Sequence, residues 1–448
     1  MTESTTYRIA FILPQSRQLI GMQTVGGMQL PLLLIPSAQR PAEQLTKLIR
    51  LTWHVASLVL DILGDTTTTP CAVIEVRGPD WPYRTYGLTT LCPDDVSATS
   101  LSVHEKEIIT SILSGDNTRT LWNRIGWIEE VKEWIRDSSP DRRITFSDEV
   151  VQLNAGGNFV LVRLDAHPGP AYWLKAVGEP NTHEYHITKF LTTCLAKYLP
   201  PIVTLKDTEK AWVMEEVGQP LQPMASVCAF DRAVSCIASL QTESIPYVDS
   251  LLSAGCADQR LSVLQAHMTA MTLYLEEAME KQTSAKVAPL ATPRLLELKE
   301  IVIDACARLL ELEIPDTLIH NDINPGNILI DGSRCVLTDW AEACIGNPFV
   351  TFQRVCAQVA TSRTSNESCE LLKAGYAKRW NQILPKKVID RAFALSPVIA
   401  IVSYLYGKGT WLADPIRYDS RFESYSRSIA RHMDRAARSP EFMEALCH

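Results

Sequence analysis

Apolar and polar positions alternate in three regimes along the chain. From Tyr7 to Leu91 the apolar runs are short and strand-like: Tyr7–Leu13, Leu19–Met22, Leu30–Ile35, Cys71–Val76 and Tyr83–Leu91. One helix interrupts them, opened by Pro41 and running to about Val55, with Leu45, Leu48, Ile49 and Trp53 at helical spacing. His104–Leu113 reads as a short helix. Leu121–Arg136 reads as an amphipathic helix whose stripe is Trp122, Ile125, Ile128, Val131 and Ile135, ended by Ser138-Ser139-Pro140-Asp141. Strand-like runs return at Val150–Leu153, Phe159–Leu164, Ala171–Val177 and Trp212–Gly218. From 222 onward apolar residues recur every three or four positions over 224–244, 259–281, 293–312, 350–360, 369–383, 388–404 and 421–437.

This helical region is broken once, from Leu318 to Pro348. There Leu318-Ile319, Ile328-Leu329-Ile330 and Val336-Leu337 read as short strands, with Asp331-Gly332 as the turn between the last two. The polar residues between these runs are His320, Asp322 and Asn327, with Asp339 twelve residues after the Asn. Pro325-Gly326 turns the chain so that Asp322 and Asn327 can face one point. A carboxylate beside an amide carbonyl suits a hard, oxygen-liganded cation such as Mg²⁺. A second carboxylate near an attacking hydroxyl completes what phosphoryl transfer needs.

The pattern H-x-D-x-x-x-x-N at His320, Asp322 and Asn327, followed by Asp339-Trp340, resembles the aminoglycoside phosphotransferase-like family, which includes choline kinase-type enzymes. The usual family loop reads H-G-D-x-H-P-G-N. Here Asn321 stands for the Gly and Asn324 for the second His. The resemblance implies a bilobal α+β kinase-like fold, a small β-rich lobe before a large helical lobe. It implies Asp322 as base or orienting carboxylate, His320 as a support of the loop, and Asn327 and Asp339 as Mg²⁺ ligands. The phosphoryl donor would be ATP or GTP, and the acceptor a hydroxyl of a small molecule.

Three upstream features take meaning from that loop. Lys175 emerges from an apolar strand, where an unpaired ammonium is costly, and Glu184 follows in a helix over 181–190 capped by Thr182. In kinases such a pair holds the nucleotide phosphates. Gly156-Gly157 sits between two strands, where backbone N–H groups could approach phosphates. The family resemblance further implies that the backbone of Glu215 and Val217, at the end of the Trp212–Gly218 run, hydrogen-bonds the purine.

These features divide the chain into an N-terminal α/β domain over 1–117, a connecting helix and linker over 118–144, a small lobe over 145–218 and a large helical lobe over 219–448. The order of elements in 1–117 weakly resembles a Nudix domain. Its helix holds the lone Glu43, not the glutamate cluster that a Nudix helix needs for Mg²⁺, so a binding or packing role is expected. Asp414, Asp419 and Glu423 are acidic residues available to an acceptor pocket.

Composition narrows the class. At 448 residues and 46% hydrophobic content the chain can bury large cores. A net charge of −8 disfavours a nucleic-acid binder. Twelve Cys residues without a C-x-x-C pair read as thiols of a reducing compartment, so a cytoplasmic protein is expected. The uncharged apolar run 392–407 contains Pro397 and falls short of a membrane span. The competing reading is a kinase-shaped binding or regulatory protein without catalysis. A protein kinase is disfavoured, because no A-P-E segment follows Asp339.

Overall fold

A computed structural model describes all residues except 1–3, 37–39, 65–68, 79, 97–99, 117–119, 140–142, 222–226, 333, 362–365, 408–419 and 448. The chain forms two compact units, Met1–Tyr185 with Pro201–Glu216, and His186–Pro200 with Val217–His448.

The first unit carries two sheets. In the first, β1 (Ser4–Leu13) is central; it pairs antiparallel with β2 (Gln18–Thr24), which pairs with β3 (Gly27–Gln29). β4 (Leu32–Pro36) also pairs with β1. Helix α1 (Pro41–Trp53) follows, then β5 (Ala56–Leu63) and β6 (Cys71–Arg77), and β6 runs parallel to β1. β7 (Leu88–Leu91) closes on β2. Two helices follow, α2 (Val103–Ser114) and α3 (Trp127–Ser138). The second sheet is a meander, β8 (Thr145–Asn154), β9 (Phe159–His167) and β10 (Tyr172–Val177), joined by β11 (Ile202–Lys206) and β12 (Ala211–Glu215) in the order β11-β12-β10-β9-β8. One apolar core runs from Ile12 and Leu60 of the first sheet through Trp127 and Val131 of α3 to Val162 and Leu174 of the second.

Several sequence expectations need correction here. The helix expected over 121–136 begins only at Trp127, because Gly126 before it has a φ of 80°, in the left-handed region. Trp122 is nevertheless buried, and its Nε1–H donates to Gly156 O at 3.1 Å. Of the run Tyr83–Leu91, only the last four residues are a strand, because Tyr83–Tyr86 forms a 3₁₀ turn ended by Gly87. β5 was not expected. Its eight residues give a continuous buried run rather than an alternating one, so period offers no signal. The strand expected to reach Gly218 ends at Glu215. The expected break at Pro140-Asp141 lies outside the described residues, as does the start of the helix expected from 224.

Helix α4 (His183–Cys194) starts in the first unit and continues into the second. The second unit then holds β13 (Gln219–Pro220), α5 (Val227–Ser244), α6 (Val248–Ala254), β14 (Ala257–Gln259), α7 (Leu261–Glu280) and α8 (Thr292–Leu310). The short strands β15 (Thr317–His320), β16 (Ile328–Asp331), β17 (Arg334–Leu337) and β18 (Ala343–Gly346) follow. The unit ends in α9 (Phe349–Thr361), α10 (Asn366–Trp380), α11 (Lys386–Gly407), α12 (Ser420–Ala437) and α13 (Pro440–Cys447). The expected helices are thus present, with ends moved by a few residues. α11 is long and apolar enough to cross a membrane by length and composition, and 61% of its most apolar window is buried within the protein.

Candidate functional site

In the first unit the strand lysine is paired. Lys175 Nζ donates to Glu184 Oε1 at 2.6 Å, with both residues buried. β10 sets Lys175 opposite Trp212 and Leu161, and the ammonium lies 5.3 Å from the Phe159 ring and 5.8 Å from the Trp212 ring. Aromatic faces and a carboxylate together replace the water that the charge has lost.

The Gly156-Gly157 turn joins β8 to β9. A Cβ at either glycine would meet nothing within 4 Å, so the space over this turn is open. Gly178 is what holds the turn close: its N–H donates to Asn158 O at 2.9 Å, and a Cβ there would come within 2.4 Å of Gly157 O. At the end of β12, Glu215 N–H donates to Pro201 O at 2.9 Å. The Glu215 N–H is thereby already engaged within the sheet. A neighbouring clamp was missed by sequence reasoning: Arg163 Nε and Nη2 donate to the two Glu216 oxygens at 2.6 and 2.9 Å, and Trp173 Nε1 donates to Oε1 at 3.1 Å. Its donors sit on β9 and β10, too far along the chain for spacing to suggest the set.

In the second unit the loop after β15 brings its polar residues together. Asn327 Nδ2 donates to Asp322 O at 2.9 Å and to Asp322 Oδ2 at 3.0 Å. These bonds use the Asn327 amide N–H group and leave its side-chain oxygen out of the contact with Asp322. Asn324 caps the intervening 3₁₀ turn Pro325–Asn327, its Oδ1 accepting from Gly326 N at 2.9 Å. This is what an Asn does at the position where the resembling loop has His.

Asp339 is tied to that loop through its neighbour. Thr338 N donates to Asn327 O at 3.0 Å, and Thr338 O accepts from His320 Nε2 at 2.8 Å. So one residue before Asp339 is fastened to both Asn327 and His320. Asp339 itself has a φ of 67°, a conformation rare outside Gly and tolerated best by Asn and Asp. His320 is buried against the Trp340 ring, with ring centroids 4.7 Å apart. Burial pushes its pKa below the usual histidine value, so the imidazole is neutral and acts as a donor to the Thr338 carbonyl.

Among the described residues no group of three or more His, Cys, Asp or Glu is placed to hold a metal. An amide carbonyl and a carboxylate, both oxygen donors on adjoining backbone, are of the kind that a hard cation takes.

The second face of the loop opens on a cavity of about 540 Å³ whose lining includes Asn321, Asp322, Arg354, Tyr404, Tyr425 and His432. Glu423 does not line it; it pairs with Lys281 at 2.7 Å. Asp414 and Asp419 lie outside the described residues. Arg354 was also missed by sequence reasoning, although an Arg inside the apolar helix Phe349–Thr361 is the same kind of signal as Lys175 in its strand.

Residues 243–385, which contain the whole loop from His320 to Asp339, match the model of the phosphotransferase enzyme family APH. Over this segment the chain is similar to the phosphotransferase enzyme family. No curated protein matches the chain. Among solved structures, the macrolide 2'-phosphotransferase MphH of Brachybacterium faecium is 14% identical, with 67% of this chain and 96% of that chain covered and a TM-score of 0.46. The choline kinase of Cryptosporidium parvum is 13% identical, covering 69% and 95%, with a TM-score of 0.48. The choline kinase LicA of Streptococcus pneumoniae is 14% identical, covering 69% and 99%, with a TM-score of 0.44.

Proposed function

We propose that the protein is a Mg²⁺-dependent phosphotransferase that moves the γ-phosphoryl group of ATP or GTP to a hydroxyl of a small molecule. The observation that carries this reading is the hydrogen-bonded loop of the phosphotransferase segment, in which Asp322, Asn327 and the backbone of Thr338 form one unit. Asp322 orients the acceptor hydroxyl and takes its proton. The Asn327 carbonyl and the Asp339 carboxylate would hold Mg²⁺. When bound, Mg²⁺ supplies charge neutralisation for the phosphate oxygens. Lys175, fixed by Glu184, contacts the phosphates, and the open Gly156-Gly157 turn offers them backbone N–H groups. The Glu215 carbonyl and the Val217 N–H contact the purine. His320 keeps the loop in shape by its bond to Thr338. Residues 1–117 are assigned a packing or binding role, since α1 contributes Glu43 as its one acidic side chain. We place the protein in the cytoplasm.

Calorimetric titration of Mg²⁺-ATP and Mg²⁺-GTP into wild type and Asp339→Ala tests this directly. Metal-dependent binding by wild type that the variant loses is expected, and the tighter nucleotide is the donor. Asp322→Asn should keep nucleotide binding and lower turnover by about a hundredfold or more, because it removes the proton acceptor. Wild type that binds neither nucleotide would leave a kinase-shaped binding protein as the better reading.

A further inference from the structure

The cavity beside Asp322 carries a charge that the phosphotransfer chemistry does not use. Arg354 lies on α9, in the wall of the cavity. Its Nη1 donates to Asn321 O at 2.7 Å, which fastens α9 to the loop that holds Asp322. Its Nε and Nη2 are shut off from solvent and have no hydrogen-bond partner. No carboxylate among the described residues forms an ion pair with it. The guanidinium carbon sits 4.7 Å from the centroid of the Tyr404 ring, which orients the planar fork but supplies no acceptor. Burial lowers the Arg354 pKa from its usual value, the mark of a cation that has lost its water without full repayment.

A buried donor pair left without acceptors is costly. Guanidinium is also the group whose forked donors match an oxyanion best. The rest of the lining agrees. Asp322 is the one carboxylate among the described residues that line the cavity, and the same wall holds His432 and the rings of Tyr404 and Tyr425. Asn321 adds a buried, unpartnered side-chain oxygen, which is an acceptor for a hydroxyl and not a ligand for the anion. Among the described residues such a wall offers a polycation no second carboxylate beyond Asp322, and it accepts an aromatic or apolar body with one negative end at Arg354. At about 540 Å³ the space fits a molecule of that kind.

We propose that the acceptor is an alcohol bearing a carboxylate or phosphate group, held at that group by Arg354 while its hydroxyl faces Asp322. This rests on the kinase reading of Asp322 and extends it to the acceptor's chemical class. The hydroxyl oxygen attacks the γ-phosphorus and forms the new O–P bond. The bond from that phosphorus to the β–γ bridging oxygen breaks, and its electron pair leaves with the nucleoside diphosphate. The hydroxyl proton passes to the Asp322 carboxylate and then to water. Arg354 touches the acceptor away from the reacting atoms, so it is a specificity residue and not a catalytic one.

The test is nucleotide-free calorimetry on the full chain with four probes: para-hydroxymethylbenzoate, glycerol phosphate, benzyl alcohol and para-hydroxymethylbenzylamine. At least one anionic probe should bind roughly ten- to a hundredfold more tightly than the neutral and cationic ones. Whichever anion wins tells carboxylate from phosphate. Arg354→Gln should remove that preference, and Arg354→Lys should restore part of it. The preference in wild type should also shrink as NaCl rises from about 0.05 to about 0.5 M, a reading that needs no variant to fold. Equal or tighter binding of the amine or the alcohol, no binding of either anion, a salt-independent preference, or full retention in a folded Arg354→Gln would overturn the proposal. None of these outcomes depends on Mg²⁺-nucleotide binding, so this inference and the kinase reading fail separately.

Discussion

Replacing Glu184 by Gln should loosen the sheet that carries Lys175, by an amount the geometry bounds. In the native protein the ammonium and carboxylate are 2.6 Å apart, with Lys175 5% and Glu184 1% exposed. Removing one partner of a buried pair typically costs about 3–5 kcal/mol, since the remaining charge stays desolvated. Two aromatic rings within 6 Å of the ammonium persist in the variant. Being present before and after the change, they leave the difference at about 3–5 kcal/mol. Hydrogen exchange followed peptide by peptide is the suitable assay, because a chain of two compact units need not unfold in one step. Amides of β10 and α4 should exchange roughly 150- to 5000-fold faster in Glu184→Gln than in wild type. The double variant Lys175→Met, Glu184→Leu should recover most of that protection, since two apolar groups need no partner. Exchange in β10 within about threefold of wild type would refute the reasoning: the pair would then be an interaction that water replaces freely, and Lys175 would not be a buried charge.

Gly218→Ala should destabilise the second unit by about 3 kcal/mol or more. Gly218 has a φ of 59°, and an added Cβ would come within 2.5 Å of Ile330 O on β16; thermal unfolding with a nucleotide-binding check measures both effects. Arg163 beside Glu216 holds that carboxyl below the usual range. The stability it contributes is therefore present above the ordinary carboxylate pKa of about 4.3 and disappears as pH falls through the lowered native value. Melting temperatures of wild type and Glu216→Gln should differ at neutral pH and converge in acid; a constant gap would reject the linkage.

Much of this protein was legible along the chain, for a definite reason. A helix or a paired strand repeats its exposure every few residues, so the helices of the second unit and most strands of the first follow from spacing alone. The loop from His320 to Asp339 was legible because its chemistry lies within twenty residues and its contacts are local: Asn327 reaches Asp322, and Asn324 caps the turn between them. Lys175 stood out because a charge inside an apolar strand needs a partner, and Glu184 lies close enough in sequence to be that partner. Where period was absent or a single backbone angle decided, sequence was silent or misled. β5 is buried on every side chain but two, and Gly126 in the left-handed region delays α3 by six residues from its expected start.

What only the tertiary structure decided is which distant residues share a wall. Arg163 and Trp173 meet at Glu216 across two strand pairings. Arg354 reaches the loop of Asp322 from a helix that begins after the hairpin, and Tyr404 comes to its face from α11. Such contacts join segments tens of residues apart, and no local preference encodes them. They arise when apolar helix faces are buried together, and the polar groups carried in with those faces must then find one another or a ligand.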